Sequence, residues 1–203
     1  MALKLAVIYY SSTGTNYQLA KWAQEAGLEM GAEVRLARVP ELAPQTAIDT
    51  NPVWKAHAEK TRQIPLASHA DLEWADAYIF SMPSRFGMIA AQMRQFLDTT
   101  GGLWARGKLA NKAVSAMTSA QNTHGGQEAT ILSLYNSMLH WGAIVAAPGY
   151  TNPAVAAAGG NPYGTSVTAA DDGSVDDEVK KAVQYQVERT LTVARWIKDG
   201  RNS

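Results

Sequence analysis

The chain has 203 residues, enough for a substantial core, and its 18 Lys and Arg residues balance its 18 Asp and Glu residues. A net charge of zero without a basic cluster argues against a nucleic-acid-binding protein. The absence of Cys excludes disulfides and thiol catalysis, and the 4 His residues lack the spacing of a metal site. No apolar run approaches the length of a membrane span, so we expect a cytoplasmic protein without stable membrane insertion.

The first predicted element is an apolar, β-prone strand, LKLAVIYY, at residues 3–10. Helical spacing of apolar residues begins near Leu19, so the polar segment between them joins a strand to a helix. Backbone N–H groups at the N-terminus of such a helix lack partners and favour an anion. The segment adds one glycine and five hydroxyl or amide side chains: Ser11, Ser12, Thr13, Gly14, Thr15 and Asn16.

This polar loop also has a simpler interpretation as an ordinary helix cap, since Ser, Thr and Asn are preferred N-caps. One cap, however, does not need five polar side chains. No Lys or Arg stands between Lys4 and Lys21, so the loop itself offers no cation, and neither a complete P-loop nor a G-x-G-x-x-G motif occurs. A nucleotide triphosphate that is cleaved normally needs a lysine and a metal. The loop is therefore predicted to hold one terminal phosphate that is not transferred.

Strands and helices alternate along the rest of the chain. Further strands are predicted at 33–39, 77–83, 112–119 and 143–149. Helices are predicted at 90–100 and 127–142. A last helix is predicted to begin at a capping box of Ser174 and Asp177 and to end at residue 199. The segments 40–72 and 148–174 are predicted as long loops, the first with one short helix. We expect residues 1–203 to form a single α/β domain, a doubly wound five-stranded parallel sheet with helices on both faces.

In such a sheet, ligands bind at the carboxyl ends of the strands. Three distinctive loops, at 11–16, 83–88 and 119–126, each follow a predicted strand. The topology therefore predicts that they converge on one site.

Six motifs in this order, YYSSTGTN, PSRFG, FLDTTGGLW, NTHGGQE, LHWG and GNPYG, resemble the WrbA family of NAD(P)H:quinone oxidoreductases. The resemblance implies a flavodoxin-like fold, FMN as cofactor, a homotetramer, and two-electron reduction of quinones by NADH or NADPH. It places the FMN-phosphate loop on residues 11–16 and the flavin-proximal histidine on His140. Trp104 matches the substrate-side tryptophan. The loops that flank the flavin fall on Ser84, Arg85, Phe86 and Gly87, and on Ser119, Ala120, Gln121, Asn122, Thr123, His124 and Gly125.

These assignments suit the chemistry of a flavin. Its ring is flat and mostly apolar, so Phe86 and Trp104 are predicted to wall it, and Gly125 and Gly126 to let the backbone approach it. Two planar reactants would then use one open ring face in turn, which predicts ping-pong kinetics. The chain departs from the family at Thr13, where an aromatic residue is frequent, and at residues 120–124.

Each residue also has a structural interpretation. Phe86 could be core, Arg85 a solvated charge, Trp104 part of a subunit interface, and His140 a core or interface histidine. A flavodoxin-type electron carrier that docks on redox proteins is the alternative function, and a module that uses FMN only structurally is a third. Electron carriers are usually acidic, so the neutral charge of this chain favours an enzyme.

Overall fold

The computed structural model describes residues 2–200. Its strands are β1 (Lys4–Tyr9), β2 (Glu33–Arg38), β3 (Ala77–Arg85), β4 (Met88–Ile89), β5 (Ala113–Ala120), β6 (Ile144–Val145) and β7 (Ser166–Thr168). Its helices are α1 (Thr15–Glu29), α2 (Gln45–Ile48), α3 (Pro52–Lys60), α4 (His69–Trp74), α5 (Ala91–Asp98), α6 (Gly101–Ala105), α7 (Gln127–Trp141), α8 (Pro153–Ala157) and α9 (Glu178–Gly200). Within this range no helix combines the length and the apolar character needed to cross a bilayer.

Five strands form a parallel sheet in the order β2-β1-β3-β5-β6, with β2 at one edge. Two short strands extend this sheet, since β4 pairs antiparallel with β3 and β7 pairs parallel with β5. The three central strands are buried almost throughout, because helices cover both faces. The predicted doubly wound α/β fold with five parallel strands is confirmed.

Each face of the sheet has its own apolar core, and the alternation of side chains along β1 shows the division. Val7 packs in the core formed with α1 and α9, whereas Ala6 and Ile8 pack in the core formed with α5 and α7. Helix α7 therefore lies on the opposite face from α1. It begins beside the carboxyl ends of the strands and ends near their amino ends, where the carbonyl of Gly142 accepts a hydrogen bond from the N–H of Asn111.

The segment 40–72 differs from its prediction, because it holds three helices and not one. Asn51 caps α3 by accepting the N–H groups of Val53 and Trp54, with Pro52 at the first helical position. At α4, the Asp71 carboxylate accepts both the N–H and the hydroxyl of Ser68. These capping signals are local, and they specify helices too short to show apolar periodicity.

The predicted fifth strand at 143–149 is shortened to β6, and the segment 148–174, predicted as a loop, contains α8 and the short strand β7. β6 pairs with the start of β5, at Ala113 and Val114, and β7 pairs with its end, at residues 118–120. The predicted start of the last helix at Ser174 is also wrong: α9 begins at Glu178, whose N–H is accepted by the Asp176 carboxylate.

Candidate active site

The three polar loops meet at the carboxyl edge of the sheet, where side chains tie each loop to another. Asn16 Nδ2 donates to Ser119 Oγ at 2.7 Å, which joins the first loop to the third. Ser84 Oγ donates to the carbonyl of Gly125 at 2.8 Å, which joins the second loop to the third. These bonds hold the loops in one continuous surface.

The loop at 11–16 divides its polar side chains between the fold and the surface. Thr15 and Asn16 are only 2% and 1% exposed, and Thr15 Oγ1 donates to the carbonyl of Gly173 at 3.4 Å. Ser11, Ser12 and Thr13 are half-buried and border the first turn of α1. The structure therefore leaves three hydroxyl groups for a ligand, where the sequence suggested five polar side chains.

Gly14 starts α1 in the left-handed region, at φ 116°, and its N–H donates to Ser11 Oγ at 3.0 Å. The first turn of α1 contains no acidic residue. Unpaired N–H groups, a positive helix end and nearby hydroxyls together suit an anion such as a phosphate monoester.

A cation reaches this loop from another part of the chain. Arg85 Nη2 donates to Ser12 Oγ at 3.3 Å, and Arg85 Nη1 donates to the carbonyl of Ser84 at 3.4 Å. The loop sequence alone contains no cation, so only the fold reveals that a guanidinium group stands beside it. Arg85 is exposed, and its guanidinium group lies against the phosphate loop.

Phe86 and Gly87 form the two-residue tip of the β3–β4 hairpin, with φ angles of 55° and 76°. Positive φ at both central positions is typical of a type I′ turn, whose twist matches that of the strands. For Phe86 this conformation costs about 1–2 kcal/mol. Its side chain is 105% exposed, which excludes the core interpretation.

Backbone and side-chain contacts also fix the loop after β5. The N–H of Gly125 and Nε2 of Gln127 both donate to the carbonyl of Asn122. Gln121 Nε2 donates to Asp171 at 2.9 Å, while Thr123 and His124 are exposed.

The two glycines of this loop have a packing role that the sequence did not suggest. A Cβ at Gly125 would lie 2.4 Å from the Cβ of Ala120, and a Cβ at Gly126 would lie 2.7 Å from the Cα of Gly87. The space beside each glycine is therefore filled by the protein itself. Glycine at these positions lets the loop fold on itself and pack on the loop at 83–88.

Trp104 and His140 lie together, at the end of α7 opposite to the loop at 119–126. Trp104 Nε1 donates to the carbonyl of His140 at 2.8 Å, and both residues line a groove of about 500 Å³ that extends to Met88. His140 is near the end of α7, whereas Gly126 immediately precedes it. At 1.5 Å per residue, the two positions are separated by about 20 Å. Within one chain, Trp104 and His140 are therefore separated from the loop at 119–126, while their groove reaches the loop at 83–88 only at Met88.

Two buried features beside the loops were not predicted from the sequence. His57, on α3, lies against the loop at Gly14, and its Nδ1 would be 3.6 Å from a Cβ at that position. Burial, together with the nearby charge of Lys60, lowers the pKa of His57 to about 4. His57 is thus neutral in the folded protein, and the sequence contains no motif that identifies this role.

The second feature is a polar cluster at the end of β1. Tyr10 donates its hydroxyl to Glu41 at 2.8 Å, and Gln92 Nε2 donates to both groups. Burial alone would raise the pKa of Glu41, but hydrogen bonds from Ala43, Gln92, Tyr10 and Leu42 outweigh it and lower that pKa. The cluster fixes the segment after β2 against α5.

Comparison with known proteins agrees with this arrangement. Residues 3–157 match the model of the NADPH-dependent FMN reductase family. An NAD(P)H dehydrogenase (quinone) from Deinococcus radiodurans is 53% identical over 189 residues, which is 93% of this chain and 94% of that protein. The chain belongs to the NADPH-dependent FMN reductase family.

A more distant NAD(P)H dehydrogenase (quinone), from Geotalea uraniireducens, is 38% identical over 201 residues and covers 95% of this chain and 98% of its own length. Among solved structures, a WrbA-like flavodoxin from Agrobacterium tumefaciens aligns with a TM-score of 0.63 at 21% identity, over 96% of this chain and 99% of that chain. The predicted resemblance is confirmed, and the protein is an NAD(P)H-dependent flavoprotein oxidoreductase.

FMN is the cofactor of this family member. The residues fit it: α1 presents unpaired N–H groups without an acidic neighbour, Ser11, Ser12 and Thr13 add hydroxyls, and Arg85 adds a cation. The backbone edges at 83–87 and 120–125 stand beside this cradle.

Proposed function

We propose that the protein catalyses the two-electron reduction of quinones by NADH or NADPH through FMN, in a ping-pong sequence. Bound FMN supplies the chemistry, since it accepts a hydride and passes both electrons on. Among residues 2–200, no Ser or Thr hydroxyl of the three loops is hydrogen-bonded to a histidine or a carboxylate, so these residues would bind, orient and shield the reactants. Relatives named NAD(P)H dehydrogenase (quinone) support this proposal.

The observation that carries the proposal is the positive φ and full exposure of Phe86. A bulky residue at positive φ is uncommon, and such strain is frequent at functional sites. The fold gains no core contact from it, since the ring is fully exposed beside the flavin loops. We infer that Phe86 borders the planar reactants, and that Ser84, Gly87 and residues 119–125 hold the flavin edge mainly through backbone groups.

A second copy of the chain is needed to complete this site. Trp104 is 56% exposed and, together with His140, lines a preformed groove. This groove lies about one helix length from the start of α7. Leu132 and Leu139 extend an apolar stripe along the exposed face of α7. We propose a homotetramer in which α7 packs against a neighbouring copy, so that Trp104 and His140 of one subunit face the flavin of another.

In that arrangement each residue has a definite task. The Trp104 ring would stack against the nicotinamide or the quinone, which is worth about 0.5–1.5 kcal/mol per aromatic pair. His140 would donate a hydrogen bond to the quinone oxygen as negative charge develops there. Ser11, Ser12, Thr13 and Arg85 would hold the terminal phosphate.

Steady-state kinetics with NADH, NADPH and benzoquinone test this function. Two reactants that share one place must alternate, so double-reciprocal plots should be parallel. Trp104→Ala should raise the KM for quinone more than it changes FMN affinity, and sedimentation should show tetramers at micromolar protein. Intersecting lines, or anaerobic reduction that stops after one electron, would favour the electron-carrier alternative.

A further inference from the structure

A separate cavity of about 330 Å³ lies at the carboxyl end of β2, between that strand and α3. It adjoins the phosphate loop, because Ser11 is among its lining residues. Nothing in the proposed quinone reaction uses this cavity. Because the cavity adjoins the phosphate loop, a long substrate that passes over the cofactor could extend into it.

Two buried donors of this cavity lack partners in the described chain. Nε of Arg38 is buried without a hydrogen bond, and Nη2 of the same side chain makes only a 3.5 Å contact with the carbonyl of Arg62. Tyr9 is 1% exposed, and its hydroxyl, although near Thr61, makes no hydrogen bond of normal geometry. Buried donors without partners are costly, so they point to an acceptor that is missing here.

The charges of the cavity favour an anion as that acceptor. Arg38 and Arg62 form no ion pair among residues 2–200, whereas Lys55, which also lines the cavity, is paired with Asp49. Of the two carboxylates in the lining, Glu41 is held by Tyr10 and Gln92. Glu41 remains ionised, because these hydrogen bonds lower its pKa, and Glu59 is exposed, but among residues 2–200 neither carboxylate pairs with Arg38 or Arg62.

The remaining walls suit a flat heterocycle. Trp54 is half-buried and lines the same cavity as the two arginines. Arginine pairs with phosphate through two parallel hydrogen bonds, and purines stack on aromatic rings. A ligand with a purine and a nearby phosphate therefore matches Trp54 and the two arginines, whereas a free phosphate would use only the arginines.

We propose that this cavity binds the adenosine end of NADPH, with Arg38 and Arg62 holding the 2′-phosphate, so that the enzyme prefers NADPH to NADH. The proposal rests on NAD(P)H as reductant and does not depend on quinone as the acceptor. The nicotinamide end would extend past Ser11 toward the flavin loops.

Binding to the FMN-loaded protein tests this site without any turnover. Adenosine 2′,5′-bisphosphate and adenosine 5′-monophosphate differ by one phosphate, and calorimetry should show that the bisphosphate binds at least about tenfold more tightly. Arg38→Gln and Arg62→Gln should each reduce that preference by about tenfold. Inorganic phosphate should bind much more weakly than the bisphosphate.

Arg35→Gln is the matched control. Arg35 lies on the same strand, but it pairs with Asp71 and stacks over Trp74, away from the cavity, and its loss changes the net charge equally. The KM for NADPH should rise in the Arg38 and Arg62 variants, with the KM for NADH and kcat unchanged. Since Arg62 is exposed, Arg62→Gln keeps the test valid even where Arg38→Gln fails to fold.

Three results would overturn the proposal: equal affinity of the wild type for the two adenosine probes, phosphate alone binding as tightly as the bisphosphate, or an equal loss in Arg35→Gln. Failure of quinone reduction would leave the nucleotide preference intact, so the two proposals can fail separately.

Discussion

The two ends of helix α7 belong to different kinds of surface. At its start, the three loops are joined to each other by bonds such as Asn16 to Ser119 and Ser84 to Gly125. At its end, Trp104, Leu139 and His140 are exposed around an open groove. The first region is formed by contacts within one chain, whereas under the proposed tetramer a neighbouring copy completes the second.

The tightest contact of the first region should produce the largest effect. A Cβ at Gly173 would lie 2.1 Å from the carbonyl oxygen of Thr13, so in Gly173→Ala the phosphate loop and the segment around residue 173 must move apart. If two charge-assisted hydrogen bonds to the phosphate are lost, FMN affinity falls by about a thousandfold. Fluorescence titration with FMN measures this change.

Gly160→Ala is the control for backbone strain. Gly160 has φ 77°, close to the 78° of Gly173, but a Cβ there would meet nothing within 4 Å. It should cost about 1–2 kcal/mol of stability and leave FMN affinity unchanged. Similar FMN losses in the two variants would show that strain, and not packing on Thr13, governs this region.

Protonation of His57 at low pH should destabilise the same region. Its pKa is lowered from 6.5 to about 4 in the folded chain, so the unfolded chain binds the proton more tightly. The contribution of neutral His57 to the free energy of unfolding is therefore complete above pH 6.5 and is lost as pH falls toward 4. The loss should reach about 3 kcal/mol in the free energy of unfolding.

Denaturant titrations from pH 7 to pH 4 check this expectation. His57→Gln should flatten the pH dependence, whereas His69→Gln, at an exposed position bonded to Thr99, should not. An unchanged slope in His57→Gln would mean that other groups cause the acid sensitivity.

The open region should respond to a change that leaves the loops intact. Leu139→Lys places a charge in the apolar stripe of α7, and we expect monomers with full FMN affinity but a kcat/KM for quinone reduced by about a hundredfold. Leu28→Lys is the control, because Leu28 also lies in the last turn of its helix and is 54% exposed, against 65% for Leu139. A tetramer in Leu139→Lys, or equal losses in both variants, would place the interface elsewhere.

The contrast between these regions also explains what the sequence could predict. Apolar runs such as that of β1 and the polar loop after it are local patterns, so the sheet and the loop positions were predictable. The sequence could not show which polar side chains of this loop bond within the fold, because Thr15 and Asn16 bond partners 158 and 103 positions away. The shortening of the last predicted strand to β6 and the presence of β7 were equally unpredictable, since strands of 2 and 3 residues are too short for periodicity.

The smallest effect is expected at Gln121, where the first region meets solvent. Its side chain donates to exposed Asp171, and a hydrogen bond between exposed groups competes with water, so its net contribution is small. Gln121→Ala should therefore change the FMN dissociation constant by less than about threefold, whereas Ser84→Ala removes a bond to the Gly125 carbonyl and should change it by about tenfold. Parallel FMN titrations compare the two. Equal losses would mean that Gln121 contacts the flavin directly, and the loop after β5 would then bind through side chains as well as backbone groups.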